Sequence, residues 1–226
     1  YGNALQAASC GGHEAVVKIL LEKGADVNAQ GGYYGNALQA ASEGGHEAVV
    51  KMLLEKAAYV NAQGGEYGSA LQAASLRGDK DIATLLLDTG ADVTAQGGYY
   101  GNALQAASHI GDEAVVKILL NKGANVNAES GEYGNALLAA SCGGHGAVVR
   151  LLLDKGADVN AQDANLGNAL QAASSRGHEA VVKMLLNKGA DVHAQGGRFS
   201  NALQAASGGG HEAVVMMLVE RGAKSS

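Results

Sequence analysis

Apolar and polar positions along the chain follow a short helical pattern that ends, turns and starts again. In the opening 33 residues, Ala4 to Ser9 is a small, alanine-rich stretch, and Val16, Val17, Leu20 and Leu21 fall on one stripe at helical spacing. Asn3 stands where an N-cap belongs, with Gln6 three residues on. The pair predicts a capping box opening a first helix over 4–9. Gly12 breaks that helix. A second is predicted over 14–23, with Glu14 in its first turn and Lys23 in its last, both suited to the helix dipole. Gly24 supplies the left-handed residue that ends it, and Val27 is expected to be buried beneath the exit. Ala29-Gln30-Gly31-Gly32 then turns the chain.

The unit recurs. Copies begin at Tyr1, Tyr34, Tyr67, Tyr100, Tyr133, Leu166 and Phe199, giving 1–33, 34–66, 67–99, 100–132, 133–165, 166–198 and a shorter 199–226. The second copy departs from the first at five places, so a single hairpin of helices has been used seven times. Helices this short are marginal alone in water, so each hairpin must gain its stability by stacking on its neighbours. The prediction is an all-α solenoid, one domain over 1–226, of seven helix-loop-helix units joined by Gly-rich, hairpin-like loops.

Composition then narrows the function classes. With 47 % apolar residues a folded core is expected, and the 34 glycines fall at fixed places in each unit, which excludes collagen. A net charge of −6 without a basic stripe argues against nucleic acid and against an anionic membrane surface. The longest apolar runs, such as Ala213 to Val219, are too short to span a bilayer, and the opening residues lack the basic-then-apolar pattern of a secretory leader.

Candidate chemistry is sparse. His13, His46, His145, His178 and His211 share one place in the unit, and adjacent copies of a place sit about 10 Å apart. Metal ligands must converge within about 2 Å of an ion, so a structural role at the turn before the second helix is expected of these rings. Cys10 and Cys142 share another place four units apart, about 40 Å, too far for a disulfide. Two unpaired thiols fit a reducing, cytoplasmic setting. No phosphate loop and no nucleophile–base–acid set is present, so no active centre, metal or cofactor is predicted.

The segments G-H, V-V-x-x-L-L and G-A-D-V-N-A, spaced as in Asn3 through Ala29, resemble the ankyrin repeat, and the resemblance covers essentially the whole chain. It implies a non-catalytic protein-recognition module. The Y-G-N-A-L-Q-A-A-S dialect, with its near-identical copies, is similar to the C-terminal arrays of filamentous-fungal NACHT or NB-ARC (STAND, NOD-like) receptors, which implies a ligand-sensing role. A structural or scaffold array without a dedicated partner is the alternative. The family's loop Asp and Gly are displaced to G-G-x-Y-G, with Asp restored only at Asp163, so a departure from the tight hairpin is expected. The resemblance also places Asn28, Asn61, Asn127 and Asn160 where asparagine hydroxylases act on animal members.

Variation between copies is confined to a few places. One is the loop residue before the aromatic: Tyr33, Glu66, Tyr99, Glu132, Asn165 and Arg198. Another is the end of the first helix, with Glu43, Arg77, His109 and Arg176. Beside them runs the aromatic row of Tyr1, Tyr34, Tyr67, Tyr100, Tyr133 and Phe199. In the family these places belong to the loop finger and the concave face, so they are the candidate contacts for a protein ligand. Two irregularities stand out. Ala57 and Tyr59 replace Gly and Asp in the second unit, and Asp79 to Thr84 replaces H-E-A-V-V-K in the third. Met216 adds apolar surface to the last unit, so end-to-end self-association, or a longer parent array, is predicted.

Overall fold

A computed structural model of the protein describes residues 2–224, so Tyr1 of the aromatic row lies outside the described residues. These residues form fourteen α-helices and no strand, two helices to each unit. The first helices are α1 (Ala4–Cys10), α3 (Ala37–Gly44), α5 (Ala70–Arg77), α7 (Ala103–Ile110), α9 (Ala136–Gly143), α11 (Ala169–Ser175) and α13 (Ala202–Gly208). The second helices are α2 (Glu14–Glu22), α4 (Glu47–Glu55), α6 (Lys80–Asp88), α8 (Glu113–Asn121), α10 (Gly146–Asp154), α12 (Glu179–Asn187) and α14 (Glu212–Glu220). The chain groups into two compact units, divided within the fourth repeat. Unit 1 holds Tyr1–Ala107, Ala114–Asn125 and Ser130–Glu132; unit 2 holds Ser108–Glu113, Val126–Glu129 and Tyr133–Ser226.

Within unit 1, α1 packs on α3 and α3 on α5; within unit 2, α9 packs on α11 and α11 on α13. The alanines make this approach possible. Ala37, Ala40 and Ala41 are no more than 1 % exposed, and Leu38 fills the space beside them. Each second helix closes the core with its apolar stripe, as Val49, Val50 and Leu53 of α4 do at zero exposure. Fully burying such side chains contributes about 1.5–3 kcal/mol each. In the first repeat the expected stripe is only partly covered: Val17 is buried, Leu20 and Leu21 are half-buried, and Val16 is 47 % exposed. Val49, the counterpart of Val16 in the second repeat, is fully buried.

Both helix ends follow the local chemistry. The Oδ1 of Asn3 accepts from the Gln6 N–H at 2.9 Å, and Gly12 leaves the helix at φ 68°. The second helix, predicted to run to Lys23, ends at Glu22, so Lys23 is its C-cap rather than part of its last turn, and Gly24 follows at φ 84°. Val27 is half-buried rather than buried. Ala57 keeps the left-handed conformation of the glycine it replaces, at φ 62°. In the third repeat Asp79, standing where five repeats carry His, caps α6 by accepting from the Ile82 N–H at 3.0 Å.

Candidate functional site

The loops between repeats are held from beneath by the first helix. Gln39 completes a capping box with Asn36, accepting from the Asn36 N–H at 3.1 Å, and its amide also donates to the carbonyls of Gly64 at 3.2 Å and Gly68 at 2.9 Å. Gln72 repeats the reach to Gly97 at 2.7 Å and Gly101 at 3.0 Å, Gln105 to Ser130 at 2.8 Å, and Gln171 to Gly196 and Ser200, both at 3.1 Å. All four side chains are buried. The capping-box reading of Asn and Gln is therefore half of the arrangement. The longer half, a bond across 25–29 residues into the next loop, is not visible in a local motif.

Four of the loops close on themselves as a single antiparallel bridge, between Gly31 and Gly35, Gly64 and Gly68, Gly97 and Gly101, and Asp163 and Gly167. The tight turn that the displaced Asp and Gly put in doubt is thus present in these four loops. Glycine makes it possible: Gly64 and Gly65 hold φ of 148° and 64°, where L side chains are strained.

From these turns the variable residues project in register. In unit 1 the Glu66 N–H donates to the Tyr33 carbonyl at 2.9 Å, Tyr99 to Glu66 at 2.9 Å, and Glu132 to Tyr99 at 3.0 Å. In unit 2 the Arg198 N–H donates to Asn165 at 3.0 Å. The backbone at the tips is consumed by this ladder while the side chains stay outside it. Tyr33 is 54 % and Tyr99 46 % exposed, and Glu66, Glu132 and Arg198 are exposed.

The aromatic row lies one residue deeper. Tyr34, Tyr100, Tyr133 and Phe199 are half-buried and Tyr67 is buried, so Tyr67 supports the surface rather than forming it. Tyr33 meets the rings of Tyr34 and Tyr67 edge-on at 5.2 and 5.8 Å, Tyr99 meets Tyr100 at 5.1 Å, and the Arg198 guanidinium lies 4.6 Å over Phe199. Burial pushes the Tyr67 phenol well above the ordinary tyrosine range, helped by its bond to Tyr33 and by the Glu43 carboxylate. Burial raises Tyr100 likewise, with Tyr99, Tyr33 and Glu66 adding to it.

The ends of the first helices adjoin this row. The Cys10 thiol donates to the Tyr34 hydroxyl at 3.2 Å, and the His109 ring stacks on Tyr133 at 4.5 Å. Burial, with His145 nearby, lowers the His109 pKa. Glu43 is half-buried; Arg77 and Arg176 are exposed. Arg77 also has an internal task. In most repeats the shared histidine donates from Nε2 to the last turn of the preceding first helix, as His46 does to Cys10 and His145 to His109, both at 2.8 Å. The third repeat has Asp79 there, and the Arg77 guanidinium takes the bond over, donating to the Glu43 carbonyl at 3.1 Å. Four of the five shared histidines, His46, His145, His178 and His211, thus have a structural contact, to a carbonyl of the preceding repeat.

The asparagines of V-N-A are structural ties too. Asn61 donates to Gly90 at 3.0 Å and accepts from the Asp92 N–H at 2.7 Å, and Asn28, Asn127 and Asn160 repeat the pattern. Cys10 and Cys142 are free thiols. No helix among the described residues is long and apolar enough to cross a membrane. What the surface can do chemically is offer aromatic faces, phenol hydroxyls and carboxylates at fixed spacing on a rigid support.

Comparison with known proteins gives the same picture. The sequence matches the family described as ankyrin repeats (3 copies) over residues 1–64, 70–163, 103–196 and 139–226. No protein of curated function matches. Among solved structures, the crystal structure of the human ASB11 ankyrin repeat domain is similar, with 25 % sequence identity and a TM-score of 0.83 over 99 % of this chain and 100 % of that one.

Proposed function

Because this chain belongs to the ankyrin-repeat family, whose repeats are in general protein–protein interaction modules, we propose that it is a non-catalytic recognition array taking a protein ligand at its loop tips and first-helix ends. One observation carries the reading. The places that vary between copies are the exposed side chains of Tyr33, Glu66, Tyr99, Glu132 and Arg198, and the backbone beneath them is tied loop to loop. A body of near-constant, buried positions thus presents a short variable rim. The test is capture of protein partners by the native chain and by a variant with Tyr33, Glu66, Tyr99 and Arg198 all changed to Ala, matched for thermal stability. Loss of capture by the variant is expected; equal recovery of every partner contradicts it.

The finer reading is the ligand-sensing array of a fungal NOD-like receptor, cytoplasmic, with 1–226 as one domain. Its support is the Y-G-N-A-L-Q-A-A-S dialect and the two free thiols. A NACHT or NB-ARC nucleotide-binding domain encoded upstream in the gene is the expected finding, and an unrelated neighbour removes the reading.

End-to-end self-association has its own support. Val16 and Ile19 are 47 % and 56 % exposed, and Met216 and Val219 62 % and 53 %. Val49, the counterpart of Val16 in the second repeat, is fully buried, and Leu186, that of Val219, is 9 % exposed. Sedimentation that depends on concentration, and loses that dependence in Val16→Glu, is expected; a monomer at all concentrations contradicts it.

A further inference from the structure

The exposed tips of unit 1 alternate in chemistry: Tyr33, Glu66, Tyr99, Glu132. Their backbone ladder fixes the spacing. Each step runs across one hydrogen bond of 2.9–3.0 Å and one residue, so at the rim the backbone steps by about 6.5 Å, less than the helix spacing, and the Glu66 and Glu132 backbones lie about 13 Å apart. That is the length of about four extended residues. Neither carboxylate is ion-paired with a described residue, and loops 31–35, 64–68, 97–101 and 130–134 contain no Lys or Arg. Tyr33 and Tyr99 stand half open to solvent beside them, with ring orientations held by edge contacts to Tyr34 and Tyr100. Carboxylates alternating with fixed aromatic faces are matched by guanidinium groups, which pair with the first and stack on the second.

We propose that this strip binds an extended basic segment of a protein partner, with arginines about four residues apart seated on Glu66 and Glu132 and flanked by Tyr33 and Tyr99. The inference rests on the loops being the partner surface and adds the chemistry of what they take. In unit 2 the corresponding tips are Asn165 and Arg198, with the Arg198 guanidinium already over Phe199, so the preference belongs to unit 1.

The test is fluorescence anisotropy of the whole chain with a labelled peptide of Arg-Ser-Gly-Ser repeats, and with its Lys and Glu counterparts, at low and at physiological salt. The Arg peptide is expected to bind more tightly than the Lys peptide, and the Glu peptide not at all. Changing Glu66→Gln with Glu132→Gln is expected to weaken binding about fivefold, and Tyr33→Ala with Tyr99→Ala about tenfold. Glu22→Gln with Glu55→Gln removes the same charge from the second helices and is the control. Absence of binding by the native chain, or equal weakening by the control, overturns the proposal. If that happens while the four-residue alanine variant still loses its captured partner, the basic-segment assignment falls and the recognition surface stands. Retention of partners by the alanine variant removes the surface itself.

Discussion

The loop Gly97–Gly101 and the loop Asp163–Gly167 occupy the same place in two repeats and satisfy the same backbone in different ways. In the first, Gly97 and Gly98 hold φ of 147° and 63°, and the Gly97 carbonyl receives the buried amide of Gln72 at 2.7 Å. In the second, neither Asp163 nor Ala164 has positive φ, and the Asp163 carbonyl receives the Gly167 N–H at 3.0 Å. The Asp163 carboxylate then caps the turn, accepting from the N–H groups of Asn165 and Leu166 at 2.8 Å each. The residue below this loop is Leu138, fully buried where five other repeats bury Gln. The two changes explain each other. A carbonyl away from water needs a donor; a glycine turn leaves that to the helix, whereas an aspartate turn supplies it internally, and the helix position is free to become apolar.

The largest test of this contrast is steric. A Cβ on Gly98 would lie 2.6 Å from the Gly68 nitrogen, in a left-handed conformation. Gly98→Ala is expected to cost about 3 kcal/mol in urea denaturation. Ala164→Gly, at the same place in the aspartate loop, should cost no more than about 1 kcal/mol. Next is the brace itself. Gln72→Leu leaves the Gly97 and Gly101 carbonyls without their side-chain donor and is expected to cost about 2 kcal/mol by the same measurement. A smaller loss, about 1 kcal/mol, is expected for Asp163→Ala, because the Asp163–Gly167 backbone pair remains.

The smallest effect is one of pH. The glycine loop of the second repeat leads into Tyr67, whereas the aspartate loop leads into Leu166. The folded pKa of Tyr67 stands above the ordinary 10.0, from burial first and the Tyr33 bond second. Its contribution to stability is therefore complete below pH 10 and declines as pH rises from there toward the folded value. Stability measured on the alkaline side should fall more gently in Tyr67→Phe than in the native chain.

Much of this architecture was legible from the spacing of residues. Asn3, Gly12, Glu14 and Gly24 act locally, within four residues of their partners, and the helices end where they indicate, with Lys23 one step outside. What escaped acts across repeats. Gln39 reads as half of a capping box because that bond spans three residues, while its bonds to Gly64 and Gly68 span 25 and 29. The signal that could have exposed them is the coincidence of Leu138 with Asp163, two departures 25 positions apart. Arg77 illustrates the same limit. Its charge and variability mark it as a contact, but its bond to the Glu43 carbonyl follows from a missing histidine two residues later. At the rim, the exposed places were identifiable from variation alone. The burial of Tyr67 beside half-open neighbours was not, since it depends on where Tyr33 and Tyr34 lay their rings.

The exchange between helix and loop can be measured in a double-mutant cycle. One arm carries Gln72→Leu; the other carries Gly97→Asp, Gly98→Ala, Tyr99→Asn and Tyr100→Leu, which writes the aspartate turn into the third loop. If a loop needs either a glutamine beneath it or an aspartate within it, the combined variant should be at least about 1 kcal/mol more stable than the two separate losses predict. Losses that add to within about 0.5 kcal/mol would show that helix and loop are independent, and would contradict the account.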